Sequence, residues 1–389
     1  MISTLAIAAL AVAPIGVAAP IGAQEAVESA APRAPDLTIA GEPLVRIGAL
    51  DGPLEYIFGD VAGAVRLDDG SIVVVDEQSH NVRRYDADGQ HLWTSGREGD
   101  GPGEYRGLRL LRNCPGAAIT VFDWVQDRIT QLDLDGNVVD TRALHASGVR
   151  PYGEPACSAD GHLVFTPWPE DRRSVLERTV GEQWRWRMSL RYALGDGVTV
   201  LRSGIPGAER TRVSATSSRP SYWGRDVIYA AVDTGVWFGT ADNYEVEHLD
   251  WTGRVTRTAR WAGPDLAVTD EQVQRYREYL SAHDYYADYG DRFEREVWPE
   301  RRAYLPERFP AYESILALPD GRVWIRTYRW QAPGEELHLL DRDGAWQRRL
   351  TMPGGSVLLD AGSDWVLILQ RDAFDIPTVA VYELVEVVG

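Results

Sequence analysis

Lysine is absent from this sequence of 389 residues, so all 40 of its basic residues are arginines. A phosphate-binding P-loop requires a lysine, as do Schiff-base catalysis and the Ser-x-x-Lys nucleophile. The sequence also contains no Gly-x-Ser-x-Gly elbow, and its seven histidines form no His-Glu-x-x-His pair. These absences exclude several common catalytic sites, and no catalytic dyad stands out.

Basic residues are also outnumbered by acidic ones, 40 to 58, which gives a formal net charge of −18. Nucleic acids and anionic lipid surfaces are bound by basic surfaces. The charge balance therefore opposes both classes of partner. Excess carboxylates at a protein surface keep the protein soluble, which is the simplest interpretation of this composition.

Long apolar runs are confined to residues 1–23, which are almost wholly apolar and end near small-residue cleavage positions. This pattern predicts a secretory signal peptide. No basic residue precedes the apolar run, so an uncleaved anchor is the alternative, although Pro14 and Pro20 oppose a long spanning helix. We expect a periplasmic or secreted protein that has no membrane span after signal removal, with a flexible leader over residues 24–41.

Cysteine is scarce, since only Cys114 and Cys157 occur. An even number of cysteines in an exported chain indicates a disulfide. Each cysteine precedes the same predicted turn in two neighbouring repeats, which brings the two positions together. A bridge there would contribute roughly 3 to 4.5 kcal/mol by the chain-entropy estimate. Two separately buried thiols are the alternative.

Short alternating apolar segments separated by glycine turns are abundant, and residues 60–105 contain four of them. Asp69-Gly70 and Asp88-Gly89 supply residues that tolerate positive φ in tight hairpins. This segment therefore predicts one four-stranded antiparallel sheet. Such a sheet needs copies of itself to bury its faces.

An internal repeat indicates how the first and last of these repeated sheets are joined. The motif Asp-Gly-Pro-x-Glu-Tyr occurs at residues 51–56 and again at 100–105, where it follows the fourth strand of a sheet. By analogy, residues 45–48 form a fourth strand whose three partners follow residue 355 at the other end of the chain. Joining these ends removes the exposed sheet edges of an open array.

Four more sheets fit between the two ends, at a period close to that of known propeller repeats. Their turns are centred on Pro115-Gly116 and Asp135-Gly136, Asp160-Gly161, Thr252-Gly253, and Asp320-Gly321 with Asp343-Gly344. The sequence therefore predicts one all-β domain over residues 42–389, a six-bladed β-propeller closed by its N-terminal strand.

The segment 264–310 breaks this pattern between blades four and five. Thr269 begins a capping-box sequence, and apolar residues follow it at helical spacing. A second helical stretch over 291–298 is expected to stop at Pro299. The strand count places this helical insertion on the same face as the Asp-Gly-Pro-x-Glu-Tyr loops, across that mouth of the channel.

Two longer motifs carry a resemblance to a known family. They are GREGDGPGEY at 96–105 and LPERFPAY at 305–312, the latter followed by a strand, Asp-Gly and VWIR. The chain resembles the bacterial exported six-bladed β-propellers related to NHL-repeat proteins, from about residue 42 to its end. The resemblance implies the fold and transfers no catalytic residues.

Asp76 and Asp123 are the candidate metal ligands. Both are expected at strand ends next to the channel, on the face that carries the Asp-Gly-Pro-x-Glu-Tyr loops. Carboxylate oxygens at such a rim could hold Ca²⁺, and a zinc site built from different blades is left open. The alternative is structural. Residues 76–83 follow the NHL spacing of Asp, Asn and Arg, which would hydrogen-bond the loop between strands two and three.

The insertion is rich in tyrosines interleaved with arginines, which suits sugar rings, peptides or a partner protein. The alternative is that these aromatics pack the insertion onto the propeller. Candidate ligand-binding residues on the loops and the insertion are Glu55, Tyr56, Glu77, His80, Glu104, Tyr105, Trp124, Tyr276, Tyr285 and Tyr286.

We therefore expect a monomeric, non-catalytic binding protein without a cofactor. Its expected partner is a peptide, a glycan or an envelope protein, bound on the loop face that the insertion covers. The alternative is a metal-dependent hydrolase or lyase of the lactonase kind, with Ca²⁺ or Zn²⁺ in the central channel.

Overall fold

Strands dominate the computed structural model of the protein, which describes residues 27–29, 31–116, 119–144, 150–169, 177–282, 285–330, 332 and 334–387. The predicted signal peptide lies outside these residues. The chain begins with three short strands, β1 (Val27–Ser29), β2 (Leu37–Ile39) and β3 (Val45–Ile47). All three pair with strands that come much later in the sequence.

The next three sheets follow the chain in order. Sheet 1 contains β4 (Val61–Arg66), β5 (Ile72–Asp76), β6 (Asn81–Tyr85) and β7 (His91–Ser95), and two short strands pair in the loop after it, β8 (Arg97–Glu98) and β9 (Glu104–Tyr105). Sheet 2 contains β10 (Leu108–Leu111), β11 (Ile119–Asp123), β12 (Arg128–Leu132) and β13 (Val138–Ala143). Sheet 3 contains β14 (Ala156–Cys157), β15 (Leu163–Phe165), β16 (Gln183–Leu194), β17 (Gly197–Arg212) and β18 (Ser218–Pro220).

The remaining strands form sheet 4 and a nine-stranded sheet, whose halves are called here sheets 5 and 6. Sheet 4 contains β19 (Ile228–Val232), β20 (Gly235–Gly239), β21 (Glu245–Leu249) and β22 (Val255–Trp261). Sheet 5 contains β23 (Tyr312–Ala317), β24 (Val323–Thr327), β25 (Gly334–Leu340) and β26 (Trp346–Pro353). Sheet 6 contains β27 (Val357–Ala361), β28 (Trp365–Arg371) and β29 (Pro377–Glu386), with β3 as its fourth strand.

Sheet 1 shows why these strands are apolar on both faces. Residues 72–75 of β5 are all buried. Ile72 and Val74 pack with side chains of sheet 6, whereas Val73 and Val75 pack with side chains of sheet 2. Alternate residues of a strand point to opposite faces. Each face of sheet 1 therefore packs against a neighbouring sheet.

The N-terminal strand closes the arrangement as the repeat predicts. In β3, Val45 pairs with Val381 and Ile47 with Val379, antiparallel to β29. Ile47 is 1% exposed and packs with residues of sheets 1 and 6. The first and last parts of the chain therefore share one sheet.

Described residues of the predicted flexible leader over 24–41 form two short strands that pair with later strands. β1 pairs with β22, while β2 pairs with both β26 and β29 and so joins sheets 5 and 6. Between them, the backbone N–H of Arg33 donates to the carbonyl of Trp346 at 3.1 Å. The outer strands of these sheets carry unpaired backbone groups, and the leader satisfies some of them. Composition alone does not show this pairing.

The helices lie between β22 and β23. Helix α1 (Asp270–Ala282) begins with the expected capping box, in which Thr269 N donates to Gln272 Oε1 at 2.8 Å and Gln272 N donates to Thr269 Oγ1 at 3.3 Å. The predicted stop at Pro299 is wrong. A π-helical turn at Phe293–Val297 leads into α2 (Trp298–Ala303), because proline is compatible with the first turn of a helix.

The disulfide is confirmed between Cys114 and Cys157. Their sulfur atoms are bonded and their Cα atoms lie 4.9 Å apart, across a sequence separation of 43. Cys114 follows β10 and Cys157 ends β14, the innermost strands of sheets 2 and 3. The disulfide therefore joins two neighbouring sheets at the end where the first strand of each sheet turns into the second.

Replacing Ile47 by alanine tests the closing strand. The substitution removes a buried side chain from the contact between sheets 1 and 6, and we expect the free energy of unfolding to fall by about 2–5 kcal/mol. Urea titration would measure it. The matched control is Leu44→Ala, because Leu44 is exposed just before the same strand and should change stability by less than about 0.5 kcal/mol. Equal effects of the two substitutions would contradict closure through β3.

Candidate functional site

One edge of the molecule gathers most of the candidate residues. In each antiparallel sheet, the connection to the next sheet and the turn between the second and third strands lie at the same end. We call this edge the upper face. It includes residues 48–60, 77–80, 96–107, 124–127, 150–155, 166–169, 221–227, 240–244, 262–269, 328–330 and 372–376.

Asp76 anchors the upper face of sheet 1. Its buried carboxylate accepts hydrogen bonds from the backbone N–H groups of Gly59 at 3.1 Å and Asp60 at 3.0 Å. It also accepts from Ser79 Oγ at 2.9 Å and from Arg83 Nη2 at 3.3 Å. These donors fix the connection from sheet 6 and the turn after β5. The carboxylate therefore acts as a structural acceptor.

Asp123 occupies the equivalent position in sheet 2. Its buried carboxylate accepts from the backbone N–H groups of Arg106 at 2.8 Å and of Val125 and Gln126, both at 3.0 Å. N–H donors occupy both oxygens, which gives each carboxylate a structural role, and metal binding by Asp76 and Asp123 stays a prediction. Within the described ranges, no three His, Cys, Asp or Glu side chains come together in a way that could hold an ion.

The repeated Glu-Tyr pairs stabilise the loops that contain them. Tyr105 is fully buried in the core between sheets 1 and 2. Glu104 accepts from Gly101 N at 2.9 Å and from Arg97 Nη2 at 2.6 Å, and these hydrogen bonds lower the pKa of its carboxyl. Tyr105 is thus unavailable to a ligand, and Glu104 is engaged within its own loop.

The first copy of the motif behaves in the same way. The Tyr56 hydroxyl accepts from His91 N at 2.9 Å, and its ring lies 5.7 Å from that of Tyr85. The backbone carbonyl of Glu55 accepts from the Tyr85 hydroxyl and from Arg83 Nη1. The contacts of Glu55 and Tyr56 therefore hold the loop before sheet 1 against that sheet.

The tyrosines of the insertion divide into buried and exposed residues. Tyr276 is 1% exposed and stacks on Tyr222 and Trp223, at ring distances of 4.5 and 5.1 Å. It therefore packs the insertion onto the sheets and does not face a ligand. The Tyr286 hydroxyl accepts from Arg301 Nη2 at 2.8 Å. Tyr285 is 68% exposed, and its ring lies 4.8 Å from that of Tyr286.

Three residues from sheets 1 and 2 meet on the upper face. Glu77 Oε1 accepts from Trp124 Nε1 at 2.7 Å, and its other oxygen accepts from Arg109. This contact brings together two predicted residues, Glu77 and Trp124, and holds the half-exposed indole in place. His80 lies near the end of the same turn at φ 52°, and its Nδ1 has no hydrogen-bond partner among the described residues.

A central cavity of about 380 Å³ lies where the innermost strands of all six sheets meet. Small side chains line much of it, such as Ala64, Ala156 and Ala231. At Gly63 the wall is so close that an added Cβ would lie 2.8 Å from Leu110 Cβ. The inner strands thus leave a space that could admit a small group. Sequence reasoning did not place this cavity or its polar residues.

Glu154 is the functional candidate that sequence reasoning missed. Its side chain is exposed to the open space of the cavity, and partial desolvation by the surrounding protein raises its pKa to about 7 against the opposing effect of Arg109 and Arg112. No side chain in the described part of the chain donates a hydrogen bond to its carboxylate. Only its backbone carbonyl is engaged, by the Tyr229 hydroxyl at 2.8 Å. The available signal was its place in the connection that leads into β14.

Another cavity, of about 280 Å³, lies between sheets 3 and 4. Its Asp242 carboxylate is already held by Arg185 and Arg225, each at 2.8 Å. This network satisfies the charged groups on that wall. The central cavity is the better candidate because its carboxylate at Glu154 lacks a partner.

Exposed aromatic side chains are confined to the upper face. Among the described residues, all six large aromatics that are exposed belong to its loops or to the insertion: Trp124, Trp168, Tyr222, Tyr279, Tyr285 and Phe374. The exposed apolar residues of the lower hairpins, such as Leu92, Leu134 and Leu194, are aliphatic. Aromatic rings are typical of binding surfaces. This asymmetry distinguishes the two faces.

No protein-family model matches the sequence, and no curated protein does. Among solved structures, a DUF4221 family protein from Bacteroides vulgatus aligns with 90% of this chain and 99% of its own, at 10% identity and a TM-score of 0.51. A Bacteroides fragilis protein described as exported aligns with 93% of this chain and 99% of its own, at 11% identity and a TM-score of 0.48. The calcium-binding protein regucalcin from Agrobacterium tumefaciens aligns with 90% and 96%, at 12% identity and a TM-score of 0.43. The similarity is to proteins of the β-propeller type and concerns the fold alone.

Replacing Asp76 by alanine separates the structural role from a metal-binding role. The change leaves buried N–H donors and Arg83 without their acceptor, and we expect stability to fall by about 3–5 kcal/mol. Thermal or urea unfolding with Ca²⁺ and with EDTA would measure it, and the loss should be the same in both. The control is Asp68→Ala at an exposed position of the same sheet. A calcium-dependent stabilisation of the wild type that Asp76→Ala abolishes would contradict this assignment.

Proposed function

We propose that this protein is an exported six-bladed β-propeller, related to NHL-repeat proteins, that binds a peptide, glycan or protein partner on its upper face. The six blades are sheets 1 to 6, and the helical insertion follows the fourth. The proposal is a binding function without catalysis. The observation that carries it is the confinement of the exposed aromatics to the upper face.

Aromatic side chains are enriched at binding surfaces, and contiguous exposed apolar patches typically mark interaction sites. On the proposed binding surface, exposed aromatic rings lie beside polar side chains that fix their orientation. Phe374, at the turn of sheet 6, is 80% exposed, and Trp124, at the turn of sheet 2, is 51% exposed. Glu77 orients the Trp124 indole through a 2.7 Å hydrogen bond. A fixed ring loses little conformational entropy when a ligand stacks on it.

Two features support export. The first 23 residues have the composition of a secretory signal peptide. The disulfide between Cys114 and Cys157 is of a kind that persists in oxidising compartments such as the periplasm. Among the described residues, no helix is long and apolar enough to span a membrane.

The insertion contributes to the upper face mainly through its exposed residues. Val273, Tyr276 and Phe293 are buried with Trp223, so deleting the whole segment would uncover the apolar surface beneath it. Point substitutions on the exposed rings therefore test binding more cleanly than a deletion does.

The experiment screens the wild-type protein on a peptide library and a glycan array, and then measures its strongest ligand by titration calorimetry. We expect the double variant Trp124→Ala/Phe374→Ala to lose at least tenfold in affinity, since central aromatic side chains contribute about 2 kcal/mol or more to binding. The matched control is Leu194→Ala/Val198→Ala, which removes exposed side chains from the lower hairpin of sheet 3. Unchanged binding by the Trp124→Ala/Phe374→Ala variant, or an equal loss in the control, would contradict the proposed face.

A further inference from the structure

We propose that the central cavity binds an organic cation, an ammonium or guanidinium group carried by the ligand, and that the carboxylate of Glu154 is its counter-charge. This inference deepens the proposed function and rests on it for the ligand's approach through the upper face. It assigns a binding site and a chemical class that the aromatic rim alone does not specify.

The cavity fits the end of a ligand in size and position. Its volume of about 380 Å³ lies at the lower end of the range for small-molecule sites. Glu154 belongs to the connection between sheets 2 and 3, which opens on the upper face. A ligand that stacks on the rim could therefore extend one chain into the cavity and reach this carboxylate.

The other charged groups of the cavity wall already have partners. Arg112 forms an ion pair with Asp360, and its guanidinium also donates to the carbonyls of Ala64 and Leu359. Glu313 pairs with Arg326 at 3.1 Å. Among the described cavity-lining residues, Glu154 is thus the charged side chain whose hydrogen-bonding capacity remains open.

This charge arrangement favours one class of occupant. A bound anion would approach the carboxylates of Glu154 and Glu313, while the nearest arginines are committed to other groups. Ca²⁺ requires six to eight oxygen ligands, whereas the described residues offer one open carboxylate. An ammonium or guanidinium group needs only a carboxylate and nearby carbonyls to satisfy its donors.

The same geometry makes binding depend on pH. The charged groups that act on Glu154 are Arg109 and Arg112 of sheet 2, and Tyr229 of sheet 4 interacts with both Glu154 and Asp226. Glu313 of sheet 5 also lines the cavity, and Asp360 of sheet 6 pairs with Arg112. Partial desolvation raises the pKa of Glu154 to about 7, so only part of the population is ionised near neutrality. Since the cation binds the ionised form, affinity should rise with pH between about 6 and 8.

The test uses n-butylammonium and n-butylguanidinium as probes, with n-butanol and butyrate as neutral and anionic probes of the same length. Titration calorimetry on the mature protein at pH 8 should show tighter binding of at least one cation than of either control. In Glu154→Gln, which keeps the shape but removes the charge, cation affinity should fall at least tenfold. Glu313→Gln is the matched control, because Arg326 keeps Glu335 as a partner at 3.1 Å, and this variant should retain binding.

Folding of the variant is checked by its stability at two pH values. The pKa of Glu154 is about 7 in the folded protein and near 4.5 in the unfolded chain. Ionisation of Glu154 therefore lowers the free energy of unfolding fully above about pH 7, and this loss of stability disappears below about pH 4.5. Glu154→Gln should therefore be at least as stable as the wild type at pH 8 and equally stable near pH 4. Cations that bind no better than butanol, or that bind Glu154→Gln as tightly as the wild type, would overturn the proposal.

Two further probes distinguish the source of the cation. Nα-acetyl-lysinamide represents a peptide side chain, and glucosamine represents an amino sugar. Binding of either that Glu154→Gln weakens at least tenfold supports the proposal and identifies the source. The rim substitutions leave the cavity intact, so loss of the screened ligand in Trp124→Ala/Phe374→Ala together with absent cation binding would keep the proposed function and reject this inference.

Discussion

The antiparallel pairing of β3 with β29 is the constraint on which the rest of the structure depends. It ties residues 45–47 to residues 379–381 and gives sheet 6 its fourth strand. Sheet 1 is then covered on both faces, by sheets 6 and 2. An open array would leave two sheet faces and their edges exposed. The leader extends the same principle, because β2 joins sheets 5 and 6 at their outer strands.

Bringing the innermost strands together also creates the site. Many of their side chains are small where they converge, and a cavity that opens to solvent remains between them. A carboxylate surrounded by protein on several sides is partly desolvated, which accounts for the raised pKa of Glu154. The arginines beside it do not restore an ordinary pKa, because Arg109 is bound to Glu77 and Arg112 to Asp360. The fold therefore places the unpaired carboxyl group of Glu154 where a ligand can bind it.

Local patterns in the sequence predicted the strands, the disulfide, the capping box at Thr269 and the pairing of the chain ends. Each depends on residues whose spacing is regular or repeated. The environment of single side chains was harder to predict. Asp76 and Tyr276 have types suited to metal or ligand binding, yet backbone donors surround the first and aromatic rings bury the second. Glu154 belongs to no motif, and its role depends on five other strands that the sequence does not place around it.

The titration of Glu154 is the decisive measurement, because the proposed cation site requires an unpartnered carboxyl group in the central cavity whose pKa the surrounding protein raises. Carbon-13 NMR of the glutamate side-chain carboxyls, with the Glu154 signal assigned by its absence in Glu154→Gln, would follow this group against pH. We expect a midpoint of about 7 in the free protein. A midpoint at the ordinary glutamate value near 4.5 would show a solvated or paired carboxylate and contradict it.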